Sequence, residues 1–302
     1  MRVMRKGQRW LGGVLGGLVL LGSLVGCTPT AQATHATRPT SATSTKSPSQ
    51  NPQPKQAAAA TAKSQRKLRR LIQRDLQGVG GRWSVRVTRN GAQPVQITTG
   101  NHPVRRQRAA STIKLYIMLT IFQRAQRHQL RLTSATHDQL RRMIGNSDNE
   151  AANQLIATAG GLKAVNRVIR QHGFTQTTLG RHLMDVRALK NGHDNWTSVR
   201  DLTRFLTLLA QHRLLGGSAD RQMLTLMRHC RNHSKLPLLV KNVTVYNKTG
   251  EYPDLGVQND AALFRTATGR WLTVVVLSQG GRSQRQYPAM NRLGRDVVQT
   301  LH

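Results

Sequence analysis

Three short runs of polar residues have the types and spacing to act together on a carbonyl. Ser111-Thr112-Ile113-Lys114 opens an apolar run that continues from Leu115 to Phe122. Positions i and i+3 share a helix face, which places the Lys114 amine against the Ser111 hydroxyl. A free serine is a weak nucleophile, and an amine whose pKa is lowered by burial among other cations can take its proton. The same spacing also suits a serine that merely caps a helix. Ser147-Asp148-Asn149-Glu150 precedes a second apolar stretch. It reads as a Ser-x-x-Glu capping box, or as a relay in which Ser147 protonates a leaving group while Asn149 orients the lysine or a substrate amide. Lys248-Thr249-Gly250 follows the strand-like Val243–Asn247. A strand ending in a polar turn would look the same. Chemically, Lys248 and Thr249 would hold a substrate carboxylate, and Gly250 would let a substrate backbone approach an edge strand closely. The amide of Glu251 would then pair with that of Ser111 around an oxyanion.

These runs must be carried by elements that the apolar pattern outlines. Leu68, Leu71, Ile72 and Leu76 predict an amphipathic helix over 64–77. Residues 83–89 alternate, Asn90-Gly91 supplies a tight turn, and Val95 to Thr98 returns the chain as a hairpin. Helical patterning fills 111–230; strand patterning resumes at 243–246, 261–264 and 272–277; and Met290 to Leu301 outlines a last helix. The two ends therefore share one antiparallel sheet, and the middle forms a helical lobe, an α+β arrangement with a cleft where the lobes meet. The sheet lobe takes 63–110 and 240–302, the helical lobe 111–239.

A Ser-x-x-Lys opening a helix, a Ser-Asp-Asn in a helical lobe and a Lys-Thr-Gly on a returning strand together resemble the signature of penicillin-binding proteins and class A β-lactamases. The resemblance covers about residues 64–302. It implies a β-lactamase/transpeptidase-like fold and an acyl-serine mechanism, with Ser111 as nucleophile, Lys114 as its base, and no metal or organic cofactor. The expected substrates are β-lactams or peptides like those of peptidoglycan.

Three departures bear on turnover. Class A enzymes use a loop glutamate to activate the deacylating water, but this chain has only Glu150 and Glu251, each beside another motif. Asp185 is the nearest carboxylate to the expected place; its alternative is an ion pair with Arg181 or Arg187 that pins the loop. Asp194 is expected to cap a helix starting near Thr197. Only 36 positions separate Ser111 from Ser147, which shortens the helical wall and opens the site. Glu251 stands where small residues are usual and would repel an anionic substrate unless it points away. The function accordingly divides between hydrolysis with turnover, slow deacylation as on a penicillin-binding D,D-peptidase, and a cationic wall-binding lipoprotein with a vestigial site.

The N-terminus bears on location. Arg2, Arg5, Lys6 and Arg9 precede the uncharged run Leu11–Gly26, the order of a secretory signal. The run ends Leu24-Val25-Gly26-Cys27, which resembles a bacterial lipoprotein signal with Cys27 as the lipidated residue of the mature chain. Residues 1–26 are thus read as signal and 27–62, rich in Thr, Ser, Pro and Ala, as a disordered tether. The domain would sit on the outer face of the cytoplasmic membrane, as an expected monomer.

Of 302 residues, 46 are Lys or Arg and 12 are Asp or Glu, a formal charge of +34. The first 62 residues hold seven of the bases and no acid, leaving +27 on the domain. Such a surface favours anionic cell-wall polymers and anionic lipid. Nucleic acid is not expected, because the chain is read as exported and has 4% aromatics. Two cysteines exclude a disulfide scaffold. His229, Cys230 and His233 fall within one turn, but no acid is near them and Arg228, Arg231 and Lys235 surround them, so surface histidines and a lone thiol are expected rather than a metal site.

Overall fold

The computed structural model describes residues 54–91, 94–102 and 106–301. The expected signal, Cys27 and most of the expected tether lie outside the described residues. The helix α1 runs Pro54–Leu76, ten residues earlier than the apolar spacing predicts, so the tether boundary at 62 is corrected. The alanine run 57–60 has the highest intrinsic helix propensity, and Pro54 tolerates the first helical position.

A hairpin follows, β1 (Arg82–Arg89) and β2 (Val95–Gly100). Arg89 pairs with Val95, so five residues connect the strands instead of a two-residue turn; Gly91 carries the positive φ of +115°. The short β3 (Gln107–Arg108) leads into a 3-10 turn, Ala110–Ile113, and then α2 (Lys114–Gln126). Next come α3 (Ser134–Gly145), α4 (Asn149–Thr158), α5 (Gly161–Gln171) and α6 (Val186–Lys190). The strand β4 (Trp196–Thr197) pairs with β3 and precedes α7 (Val199–Ala210) and α8 (Gly217–Arg228). The chain closes with β5 (Val243–Tyr252), β6 (Val257–Thr266), β7 (Trp271–Gln279) and α9 (Ser283–Leu301).

The main sheet has the order β2-β1-β7-β6-β5, and every neighbouring pair in it is antiparallel. N- and C-terminal strands therefore do share one sheet, and β5 is an edge. Both faces are covered, which explains why β6 and β7 read as apolar runs instead of alternating. Ala262, Phe264, Val274 and Val276 pack with Leu68, Ile72 and Leu76 of α1 and Leu293 and Val297 of α9. Ala261, Leu263, Val275 and Leu277 belong to the other core, with the helical lobe. At the centre of that lobe α2 is buried all round from Lys114 to Gln123, which fits its lack of a polar stripe.

One close approach ties the lobes' connecting loop to the last helix. A Cβ at Gly294 of α9 would overlap the Leu236 carbonyl. Leu236 lies in the 229–242 loop and donates its amide to buried Asp260 of β6 at 3.1 Å. Gly294→Ala should therefore destabilise the domain by about 1–3 kcal/mol, read as a lower urea midpoint at unchanged slope.

Candidate active site

The three polar runs converge at the junction of the sheet and the helical lobe. Ser111 sits on the 3-10 turn, and Lys114 is the first residue of α2, so the i, i+3 spacing works as expected: Lys114 Nζ lies 3.1 Å from Ser111 Oγ. The turn is held from both sides. Asn259 on β6 donates through Nδ2 to the carbonyls of Arg108 (2.8 Å) and Ala109 (3.1 Å), while Ala109 donates its amide to Asn195 O at 2.8 Å. On the other side Gly250 of β5 presses against it. A Cβ there would fall 2.8 Å from Ala109 O and 3.1 Å from Ser111 N. The backbone that approaches Gly250 this closely is that of the nucleophile's own turn, a need for glycine that the sequence reading did not anticipate. Ala110, directly before the nucleophile, has φ +44°, outside the basins that alanine prefers.

Ser147 is likewise strained, with φ +58°. It does not cap α4, as a Ser-x-x-Glu box would require. Asp148 is the cap, accepting from Ala151 N at 3.0 Å, and Glu150 instead accepts from Gln154. The shift of one position frees the Ser147 hydroxyl, which accepts from Lys248 Nζ at 2.9 Å and lies 3.3 Å from Lys114 Nζ.

Both lysines are fully buried. Burial, with the neighbouring Lys248 ammonium adding to it, lowers Lys114 from 10.5 to about 6. Burial also lowers Lys248, to about 8, with Lys235 contributing in the same direction against the raising influence of Asp260 and Glu251. Near neutral pH Lys114 is therefore mainly an amine and Lys248 mainly an ammonium. A neutral amine has two N–H donors and one lone pair. The Ser147 carbonyl (2.6 Å) and Asn149 Oδ1 (2.7 Å) can only accept, so together they take both donors. The lone pair is left for the Ser111 hydroxyl proton. Asn149 is thus placed against the Lys114 amine, the contact that one of its two expected roles calls for.

A cavity of about 770 Å³ opens over these groups, lined by Ser111, Ser147, Asn149, Lys248, Thr249 and Glu251, with Cys230, Arg231 and Asn232 on its far wall. Lys248 Nζ also donates to Thr249 O at 2.9 Å. Glu251 is neutralised: Lys235 Nζ lies 2.5 Å and Asn232 Nδ2 2.9 Å from its Oε1. Burial pushes its carboxyl up, but the Lys235 charge and these hydrogen bonds outweigh that and hold it below the usual range.

The loop before α6 holds the largest correction. The Asp185 carboxylate does not line either cavity beside Ser111; its Oδ1 caps α6, accepting from Ala188 N at 2.9 Å. Its neighbours Met184 and Val186 line a small second cavity beside Ser111, together with Leu183, Arg181 and Glu251. Neither does Asp185 pin the loop. That task falls to Asp194, which pairs with Arg181 at 2.9 Å and with Arg108, while Ser198 caps α7. Asn153 completes the anchor by exchanging two hydrogen bonds with the backbone of Leu183.

His229, Cys230 and His233 form no metal cluster, and none occurs among the described residues. His229 donates through Nδ1 to Thr225 O. Cys230 is a lone thiol, as expected, buried in the cleft wall, and burial raises its pKa, keeping the thiol protonated. Sequence reasoning missed Asn259, Lys235 and Asn232. The polar triplet Gln258-Asn259-Asp260 inside an otherwise apolar strand was the available signal for the first.

A serine activated by a buried amine, a second hydroxyl between two lysines and a mixed α+β scaffold define an acyl-serine enzyme of the β-lactamase/transpeptidase type. Residues 134–301, more than half of the chain, match the β-lactamase enzyme family, and the chain belongs to it. No curated protein matches the sequence. Among solved structures, a β-lactamase from Xanthomonas campestris superposes with a TM-score of 0.69 at 20% identity, covering 79% of this chain and 99% of that one. A β-lactamase from Sphaerobacter thermophilus gives 0.64 at 22% identity, over 77% and 95% of the two chains. PBP-A gives 0.65 at 21% identity, over 77% and 96%. These likenesses confirm the fold.

The lysine pair predicts the pH dependence of acylation. The second-order rate should rise with pH through about 6, as Lys114 loses its proton, and fall above about 8, as the Lys248 ammonium is lost. Lys248→Met should abolish the alkaline limb and move the acid limb to higher pH, because it removes a charge that disfavours the Lys114 ammonium. Stopped-flow acylation across pH 5–10 checks both limbs; an acid limb that stays put would separate Lys114 from the role of base.

Proposed function

We propose that this protein is an acyl-serine enzyme of the penicillin-binding D,D-peptidase kind. It takes β-lactams and peptide-like acyl donors onto Ser111 and releases them slowly to water. The observation that carries this reading is the engagement of the Asp185 carboxylate as a helix cap. Among the described residues lining the two cavities around Ser111, the only carboxylate is Glu251, and it is held by Lys235. Acylation has what it needs. Lys114 takes the Ser111 proton, the amides of Ser111 and Glu251 receive the developing oxyanion, Ser147 passes a proton to the leaving nitrogen, and Lys248 with Thr249 holds the substrate's anionic group. Deacylation by water lacks a carboxylate base. The second reading, a β-lactamase with turnover, is favoured by the likeness to solved β-lactamases and would require Asp185 to leave its cap.

The sequence supports an extracytoplasmic setting, with Cys27 lipidated and the +27 surface facing anionic wall polymers. In that setting the natural acyl donor would be a wall peptide. One acyl signal alone anchors weakly, and the cationic surface would add to it.

The wild-type domain incubated with a chromogenic cephalosporin should give one equivalent of colour in a burst. A mass adduct on Ser111 should then persist for at least tens of minutes, and be absent in Ser111→Ala. Asp185→Asn should change the deacylation rate by less than twofold, since asparagine caps a helix about as well as aspartate. Steady multiple turnover that is lost in Asp185→Asn would overturn the slow-release reading and return the loop aspartate to catalysis.

A further inference from the structure

Outside the catalytic cleft, α7 meets β1 along a polar seam. Helical period places Arg200, Thr203, Arg204 and Thr207 on one side of α7, at i, i+3, i+4 and i+7. On β1, Val85 and Val87 pack in the core with α1 and α9, so Arg86 and Thr88 face the helical lobe. The two sides touch where Thr88 Oγ1 lies 3.5 Å from Thr207 Oγ1. A cavity of about 290 Å³ opens in the seam, lined by these six residues and by Arg89, and it shares no lining residue with the cavities at Ser111. Among the described residues that line it there are four guanidinium groups and no carboxylate. Arg86, Arg200 and Arg204 make no ion pair among the described residues. The adjacent Asp201 is engaged by Gln176 and Thr177. Arg86 donates one N–H to Thr98 Oγ1 at 2.7 Å, and Arg204 is held by the His172 carbonyl and the Phe174 ring. Burial lowers the Arg86 pKa, and the Arg200 charge lowers it further. Thr203 is 2% exposed, and its hydroxyl has no hydrogen-bond partner among the described residues.

We propose that this seam is a binding site for a phosphodiester polymer, with one phosphate seated between Arg86 and Arg200 and Thr203 as a further donor. The site is independent of the chemistry at Ser111. Arg86 and Arg200, brought together from a strand and a helix, repel one another, and an oxyanion between them removes that cost. A phosphate presents oxygens to forks arriving from two sides and has one to spare for the Thr203 hydroxyl, whereas a carboxylate's two oxygens are filled by a single fork. Buried polar groups are as a rule paired, so an open hydroxyl at the cavity wall itself points to a ligand. Cations continue beyond the seam: burial lowers the Arg89 pKa, and the nearby charge of Arg270 adds to it. Such a track suits a chain of phosphates more than one isolated group. No aromatic residue lines the cavity among those described, so bases would find nothing to stack on, and a polyol or sugar backbone fits better than nucleic acid.

The test is calorimetric titration of the full chain with poly(glycerol phosphate) at 50 mM salt. Arg200→Gln should weaken binding at least fivefold and Thr203→Val at least threefold. Arg70→Gln, which removes the same charge from an exposed position on α1, should weaken it less than twofold. Arg200 is exposed and the Thr203 hydroxyl has no partner to lose, so both variants should keep the wild-type melting temperature. A loss in Arg200→Gln no larger than in Arg70→Gln, or a Thr203→Val that binds like the wild type, overturns the site and leaves only a general surface field. Polyglutamate of equal charge that binds within twofold of the phosphate polymer overturns the assignment to phosphate. Free glycerol 3-phosphate that binds as tightly as the polymer overturns the polymer, and oligothymidylate that binds tenfold tighter overturns it in favour of nucleic acid.

Discussion

The site depends on two lysines sharing one buried hydroxyl. Lys114 and Lys248 both reach Ser147, and two full ammonium charges at that separation inside a protein are mutually unfavourable. One proton must be given up, and the surroundings decide which. Lys248 keeps its own because Asp260, Glu251 and the Thr249 carbonyl lie on its side. Lys114 loses its proton because its partners there, apart from the more distant Asp148, are neutral acceptors, and those acceptors direct the remaining lone pair at Ser111. The base and the electrostatic anchor are thus two states of one coupled pair, separated by environment.

Holding that pair requires backbone that would not be chosen for stability. Ala110 and Ser147, on either side of Lys114, both occupy the positive-φ region. Gly250 leaves no gap between β5 and the nucleophile's turn. These strained positions persist because the surroundings over-determine them. Asn259 clamps the turn from β6, and β5 is locked to β6 through ten register pairs. Two well-packed cores flank the sheet, so the strain is stored against rigid walls.

Much of this was legible in the sequence, for identifiable reasons. Ser111 and Lys114 share a helix face by period alone, and the apolar run behind them could only be a buried helix. The sheet's composition from both chain ends followed from where strand patterning stops and resumes. What failed were inferences about the direction of side chains in irregular backbone. Asp185 lay at the right distance along the chain, but a loop has no period to say which way a carboxylate points, and an aspartate three residues before a free helix amide finds that amide first. The same competition moved the cap of α4 from Ser147 to Asp148. The tether boundary failed because a low-complexity alanine run is also a good helix former. Lys235 and Asn232 were not readable because their significance comes from Glu251, which meets them only in three dimensions.

The scarcity of acids sharpens the last step. Of the 12 carboxylates in the chain, those near the cleft have structural posts: Asp148 and Asp185 cap helices, Asp194 joins two arginines, Asp260 receives Leu236 and Asn247, and Glu251 is bound to Lys235. Asp194, Asp260 and Glu251 each hold a buried cation or amide whose loss would leave an unpaired buried group, which costs more than the pair itself contributes, whereas Asp185 and Ala188 are only half-buried. Releasing Asp185 would cost one helix cap, about 0.5–2 kcal/mol, and releasing the others would cost more. The surplus of bases works in the opposite sense, because a positive field disfavours a second ammonium at Lys114. The charge balance therefore fits the proposal that the first half of an acyl-serine cycle is better provided for than the second.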